Sequence, residues 1–273
     1  MINDIPNLLA TLEGEFKSRM KIGVLGVSGG ADSTLVAILA SKFLGKENVY
    51  AVSMPYNEHD HNTFNSRSAK LAHTLGIKHV TVPVDQIAVC INAAVDEACT
   101  GLIHDEGVHT VNAGNARSRA RMTLLYGLAW EIGDKSGLPT RVLGTGNMSE
   151  DFIGYDTKGG DSLCDWFPIG SLFKSEVYQL LEYFRDQGVI TEDLIDRVPS
   201  AGLWDGQTDE NELGESYDKM EPRIKNMLRH MDKHDLCLYT PMDSLDEFIL
   251  KRHLTNKHKH EGPPACDLRE FCS

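Results

Sequence analysis

Apolar residues cluster at Ile22, Val24, Leu25 and Val27, and after the small residues 28–31 they recur at Leu35, Ile38, Leu39 and Phe43, the spacing of one helix face. The pattern predicts a strand, a tight loop and a helix. Residues 48–56 (NVYAVSMPY) and 79–84 (HVTVPV) read as two further strands, separated by a helical stretch through Phe64, Leu71 and Leu75. Residues 85–98 and 115–133 are helical in pattern, and 140–147 (TRVLGTGN) supplies a fourth strand running into a glycine-containing loop. Strand and helix alternate, which predicts an α/β fold with a doubly wound, mostly parallel sheet and helices on both faces. In such sheets ligands collect outside the carboxyl ends of the strands, where the first and fourth strands both end in glycine-marked loops.

The second half is organised differently. Residues 154–171 hold four glycines and a proline without a sustained period and read as a long functional loop. Three helices follow, with stripes at Val177, Leu180, Leu181 and Phe184, at Met220, Ile224, Met227 and Met231, and at Leu245, Phe248 and Ile249. Ser244 with Glu247 three residues on reads as the capping-box start of the last. The stretch 199–214 is acidic and without period. No repeat or linker divides the chain, so a single domain over 1–273 is expected.

Charge narrows the function classes. With 27 Lys plus Arg against 40 Asp plus Glu, the net charge of −13 opposes binding to a polynucleotide, so no nucleic-acid partner is expected. No apolar run approaches the roughly 18 residues that span a bilayer, and the N-terminus is acidic where a leader would be basic, which predicts a cytoplasmic protein with no membrane partner. The six cysteines include no C-x-x-C pair, so neither disulfides nor a zinc knuckle is expected. The spacing of His253, His258 and His260 in a lysine-rich, irregular tail is likewise read as no zinc site. Cys164, without an activating base, is read as packing. Cations gather in two places, 116–121 (ARSRAR) and 251–260 (KRHLTNKHKH).

Glycines between strand and helix let backbone N–H groups converge on an anion at the positive end of the helix. Here Ser28 and Ser33 add hydroxyls on either side, and Asp32 places a carboxylate where a phosphate-bound Mg²⁺ needs one. The segment GVSGGADS has neither the G-K-[ST] ending of a Walker A loop nor the G-x-G-x-x-G pattern. S-G-G-x-D-S after a first strand resembles the pyrophosphate loop of the ATP pyrophosphatase superfamily, with its adenine nucleotide alpha hydrolase-like fold, whose members release pyrophosphate from ATP and transfer AMP to a substrate oxygen.

Residues 143–180, together with NARSRARM (115–122), PSAGLWDGQTDENELGESY (199–217) and HKHEGPP (258–264), extend the likeness in order across most of the chain. The whole is similar to the NAD synthetases, ligases that amidate the nicotinate carboxylate of deamido-NAD. The resemblance implies ATP contacts at Gly26, Val27, Ser28, Gly29, Gly30, Ala31, Asp32, Ser33, Thr145, Lys174 and Ser200. It implies Mg²⁺ on Asp32 and Glu150, catalytic roles for Asp32 and Lys174, and deamido-NAD contacts at Arg119, Lys158, Asp165, His258 and Lys259. Ser200 stands where the family usually has Thr, Gly202 where it usually has an acidic residue, and one extra residue precedes Pro263. Glutamine-using members carry an N-terminal amidase domain; here the first strand starts near residue 21, so free ammonia is the expected nitrogen donor. Two readings need no family. A cation at Lys174, at the start of a helix, opposes the helix dipole and points to a functional role. Arg117 and Arg121 share a side of their helix close to its apolar stripe, whereas Arg119 faces nearly the opposite way. With the homodimer that the resemblance implies, this predicts that a partner subunit covers Arg119.

Overall fold

The computed structural model describes residues 1–56, 58–103, 110–195, 209–231 and 235–262, of which 58–65 and 103 are described by their backbone alone. In chain order its principal elements are α1 (Ile5–Arg19), β1 (Ile22–Gly26), α2 (Ala31–Leu44), β2 (Val49–Ser53), α3 (Glu58–Leu75), β3 (Lys78–Thr81), α4 (Asp85–Ile103) and α5 (Thr110–Ser136). They continue as β4 (Thr140–Leu143), α6 (Met148–Phe152), α7 (Lys174–Asp186), α8 (Asp209–Leu213), α9 (Tyr217–Met231) and α10 (Ser244–Asn256). The strands form one parallel sheet in the order β3-β2-β1-β4. The chain winds outward from β1 to β3, then crosses back to lay β4 on the far side of β1. The winding direction therefore changes between β1 and β4, and a crevice opens at their carboxyl ends.

Period-2 alternation sends the strand side chains to two cores. Val24, Val52 and Val142 pack against Ala120, Leu125 and Ala129 of α5. Leu25, Ala51 and Leu143 face α2 and, with α1, α3 and α7, bury Phe16, Leu35, Leu71 and Phe184. Helices thus cover both faces, as the alternation predicts. Each such large side chain contributes about 1.5–3 kcal/mol through burial. A third cluster joins Phe152 of α6, Leu213 of α8, Met220, Ile224 and Met227 of α9, and Ile249 of α10 beside the crevice.

The boundaries differ from the sequence reading in physically informative ways. The strands are shorter than their apolar runs, ending at Ser53, Thr81 and Leu143 where the chain turns into loops. The helix α1 stands where the sequence was read only for a leader; its side-chain signals are the N-cap Asp4, which accepts from Asn7 N at 3.0 Å, and a proline in the first turn. The N-cap of α10 is Asp243, which accepts from Leu245 N and Asp246 N, so Ser244 is the first helical residue and the expected Ser244 cap is incorrect. The lysine-rich tail is not irregular either: α10 runs to Asn256 and a 3₁₀ turn carries Lys257–Lys259. Among the described residues no helix is long and apolar enough to cross a membrane.

Candidate active site

The loop leaving β1 turns at Gly29, whose φ of 74° lies in the left-handed region. A Cβ there would stand 2.8 Å from Cβ of Arg67, so the turn is closed to larger residues. Ser28 Oγ and Ser33 Oγ lie 3.3 Å apart, and Gly30 N donates to Ser28 Oγ at 3.3 Å. The N-cap of α2 is Gly30, which supplies no side-chain cap, so the first N–H groups of this 14-residue helix are left for an anion. From α3, Arg67 Nε donates to the Gly29 carbonyl at 3.3 Å, while its Nη2 is buried without a hydrogen-bond partner.

Beside this loop three charged side chains from three helix N-termini meet. Lys174 Nζ, at the first residue of α7, donates to Asp32 Oδ2 at 2.5 Å and to Glu150 Oε1 at 2.8 Å. Its side chain is only 6% exposed, which rules out ordinary surface charge. Burial alone would push the ammonium down, but Asp32 and Glu150 outweigh it and hold its pKa above the ordinary lysine range. One ammonium cannot offset two carboxylates. Burial therefore raises the Glu150 carboxyl to about 8 despite Lys174, with Asp32 adding to the rise. Two carboxylates crowded onto one ammonium, with hard oxygen donors facing a phosphate-type loop, fit a divalent cation such as Mg²⁺.

Two polar residues that the sequence reading missed hold the cluster in register. Asn147, fully buried, caps α6 by accepting from Ser149 N and Glu150 N, and its Nδ2 donates to Asp32 Oδ1 at 3.0 Å, tying the ends of β1 and β4 together. The local signal was present as Asn147 followed three residues on by Glu150, an N-terminal signature. Glu221 of α9 accepts from Ser149 Oγ (2.9 Å), Ser175 N (3.0 Å) and Ser175 Oγ (2.5 Å), which fixes α6 against α7. No local pattern marks it.

A cavity of about 630 Å³ runs from the loop across the crevice. Gly26, Val27, Ser28, Ser33 and Thr145 line one end, and Arg119, Lys158, His258 and Lys259 the other. Arg119 of α5, Lys158 of the 154–171 loop and Lys259 of the tail thus bring cations from three chain segments to one space. Lys158 Nζ donates to the His258 carbonyl at 2.5 Å, and Lys259 Nζ donates to the carbonyls of Gly154 (2.7 Å) and Asp156 (2.8 Å). The Arg119 side faces away from the core as expected, but what meets it is the chain's own loop: Arg119 Nε donates to the Lys158 carbonyl at 3.2 Å. Arg119 nonetheless remains exposed in the single chain. Arg117 stacks on Tyr56, and Arg121, which lines the same cavity, donates to the Met54 carbonyl.

Asp165 is not among the cavity residues, and its Oδ2 accepts from Val142 N at 2.7 Å. Ser200, Gly202 and Pro263 lie outside the described residues. Burial pushes the Cys164 thiol up to about 12, consistent with packing. Asp161 is a further residue missed: it accepts from Ser118 Oγ at 2.9 Å and Thr157 N at 2.8 Å, holding the 154–171 loop onto α5.

Residues 6–263 match the family model described as NAD synthase. The chain belongs to the NAD synthase family. Within it, the NH(3)-dependent NAD(+) synthetase of Methanosarcina mazei is 37% identical over 247 residues, 90% of each chain. Among solved structures, the NMN synthetase of Francisella tularensis superposes with a TM-score of 0.74 at 28% identity over 96% of each chain. The NH3-dependent NAD synthetase of Campylobacter jejuni superposes with a TM-score of 0.65, again at 28% identity over 96% of each. These structures share the fold described above, and in this chain the loop leaving β1 carries Asp32 of the charged cluster and, through Ser28 and Ser33, lines the cavity.

Proposed function

We propose that this chain is an ammonia-dependent NAD synthetase that joins ammonia to the nicotinate carboxylate of deamido-NAD at the expense of ATP. The observation that carries the reading is the buried Asp32–Lys174–Glu150 cluster, set beside an uncapped helix N-terminus whose loop, through Ser28 and Ser33, lines a cavity that also holds Arg119, Lys158 and Lys259. A carboxylate does not react directly with ammonia because oxide is a poor leaving group, so it must first be activated. Its oxygen attacks the α-phosphorus of ATP, pyrophosphate departs, and ammonia then displaces AMP from the acyl-adenylate to leave the amide.

The loop residues 26–33 and Thr145 hold the nucleotide, with the α2 N–H groups directed at its phosphates. Asp32 and Glu150 would hold Mg²⁺, which when bound offsets charge on the polyphosphate. Lys174, kept protonated by its two carboxylate neighbours, supplies a fixed positive charge where negative charge develops on the leaving group. Arg119, Lys158, His258 and Lys259 receive the dinucleotide, and the 154–171 loop shields the adenylate from water. Ser200 and Asp165 complete the ATP and dinucleotide contacts in this reading.

The test is turnover. Ammonium with ATP, Mg²⁺ and deamido-NAD is expected to yield NAD⁺ and pyrophosphate, whereas ammonia-free glutamine is not. Because one structural neighbour is an NMN synthetase, nicotinate mononucleotide is the informative competitor. A higher kcat/KM for the mononucleotide would replace deamido-NAD as the substrate.

Exposed apolar side chains on α4 and α5, among them Leu102 at 81% and Trp130 at 76%, support a homodimer formed through these helices. Sedimentation velocity is expected to give a dimer, and an active monomer would remove it. Arg119→Ala loses a charge-assisted contact of about 1.5–3 kcal/mol and is expected to raise KM for deamido-NAD by roughly 10- to 150-fold, with KM for ATP nearly unchanged. Equal weakening for both substrates would make the arginine a support of the 154–171 loop instead.

A further inference from the structure

Outside the Asp32–Glu150 pair, a second set of donors converges on the far side of α6. Asp151, Asp156 and His260 each offer one ligand atom, and the three atoms lie within 4.8 Å of one another. His260 Nε2 is 2.9 Å from Asp156 Oδ2. Asp156 is the telling member. Its side chain is 6% exposed, and its two oxygens meet only ion-pair approaches, His260 at Oδ2 and Lys259 at Oδ1, neither with the geometry of a good hydrogen bond, which leaves lone pairs of a buried carboxylate open to a metal ion. Lys259 approaches to 3.5 Å, but its ammonium already donates to the carbonyls of Gly154 and Asp156.

The set is separate from the pyrophosphate side of α6. Successive helical residues point about 100° apart, so Glu150 reaches Lys174 while the Asp151 carboxylate lies over Gly146, where an added Cβ would stand 3.0 Å from its Oδ1. Nor does it involve the other tail histidines. His253 stacks on Phe152 and pairs with the Phe152 carbonyl, and His258 pairs with the Thr255 carbonyl. The histidine spacing alone gave no metal site because two of the three donors come from residues about 100 positions away.

We propose that Asp151, Asp156 and His260 form a divalent-cation site that clamps the C-terminal tail to the wall of the substrate cavity. Two carboxylates with one imidazole suit a first-row transition metal such as Zn²⁺ or Mn²⁺ better than Mg²⁺ or Ca²⁺, which favour all-oxygen sets. Asp156 lines the cavity together with His258 and Lys259, so the ion would fix the segment that carries those two residues.

Cobalt(II) is the probe, because its visible absorption reports imidazole and carboxylate ligation without any assay of turnover. Chelator-treated full-length protein without nucleotide is titrated with CoCl₂, by absorption and by calorimetry. The imidazole-ligated Co²⁺ band is expected to saturate at one ion per chain and to be displaced by Zn²⁺, with its affinity lowered at least about 10-fold in both His260→Gln and Asp156→Asn. Glu150→Gln is expected to leave that band and its affinity unchanged, whatever Co²⁺ the Asp32–Glu150 pair takes up. His260 is at the surface, so its variant keeps the fold even where Asp156→Asn does not. Absence of the imidazole-ligated band in the wild type, its persistence undiminished in His260→Gln, or its loss in Glu150→Gln would each overturn the site.

Discussion

Glu150→Ala is expected to lower the turnover of NAD⁺ formation by about 100-fold or more, a transition-state loss of ~3 kcal/mol, without loss of the fold. The asymmetry follows from the charge balance. Lys174 serves two buried carboxylates, and burial already lifts the Glu150 carboxyl to about 8. Removing Glu150 leaves Lys174 and Asp32 as a matched pair, so the melting temperature should be unchanged or higher. Asp32→Ala should lose as much activity but also some stability, because Asn147 Nδ2 then loses its acceptor and Glu150 remains. Steady-state kinetics and thermal melts on the two variants separate these effects. Near-normal turnover in Glu150→Ala would take the residue out of the reaction.

Gly154→Ala is expected to destabilise the protein by about 2–4 kcal/mol and to raise KM for the dinucleotide. Gly154 has a φ of 62°, and a Cβ there would fall 2.1 Å from Cβ of Asn256, near the end of α10. The backbone cannot relax freely, because the Gly154 carbonyl accepts from Lys259 Nζ and Gly154 N donates to the Asp151 carbonyl. Gly159→Ala is the control: its φ is 74° but nothing lies within 4 Å of the added carbon, so a cost of only about 1 kcal/mol is expected. Urea denaturation of both variants measures the difference. Equal losses would show that conformational strain, and not the contact with α10, sets the effect.

What could be read from the sequence was what is local or breaks a local rule. The β1 loop announced itself because strand period, glycines and helix period follow within 20 residues. Lys174 stood out because a cation at a helix start runs against the dipole, and the structure gives the reason in its two carboxylate partners. Arg119 was placed on the correct side of α5, but not against Lys158, because helical phase says where a side chain points and not what loop arrives there. Asn147 and Glu221 were missed for a related reason. Their partners lie 115 residues away for Asn147 and Asp32, and 72 for Glu221 and Ser149, and no spacing encodes such pairs. The Ser244 cap failed by one position, since Asp243 is an equally good cap and the pattern does not choose between neighbours.

Beside its side-chain contacts at Phe152 and Asp156, the tail grips the 152–158 segment through four main-chain oxygens. His253 pairs with the Phe152 carbonyl, Arg252 donates to that of Ile153, and Lys259 to those of Gly154 and Asp156. In return, Lys158 reaches the His258 carbonyl. A main-chain oxygen is present whatever residue carries it. Side chains such as Tyr155 can therefore be exchanged without releasing the clasp, and the wall of the cavity is open to change while the frame behind it stays fixed. Lineages descended from this chain could retune which nucleotide they admit by substitutions in one short segment, each tolerated singly.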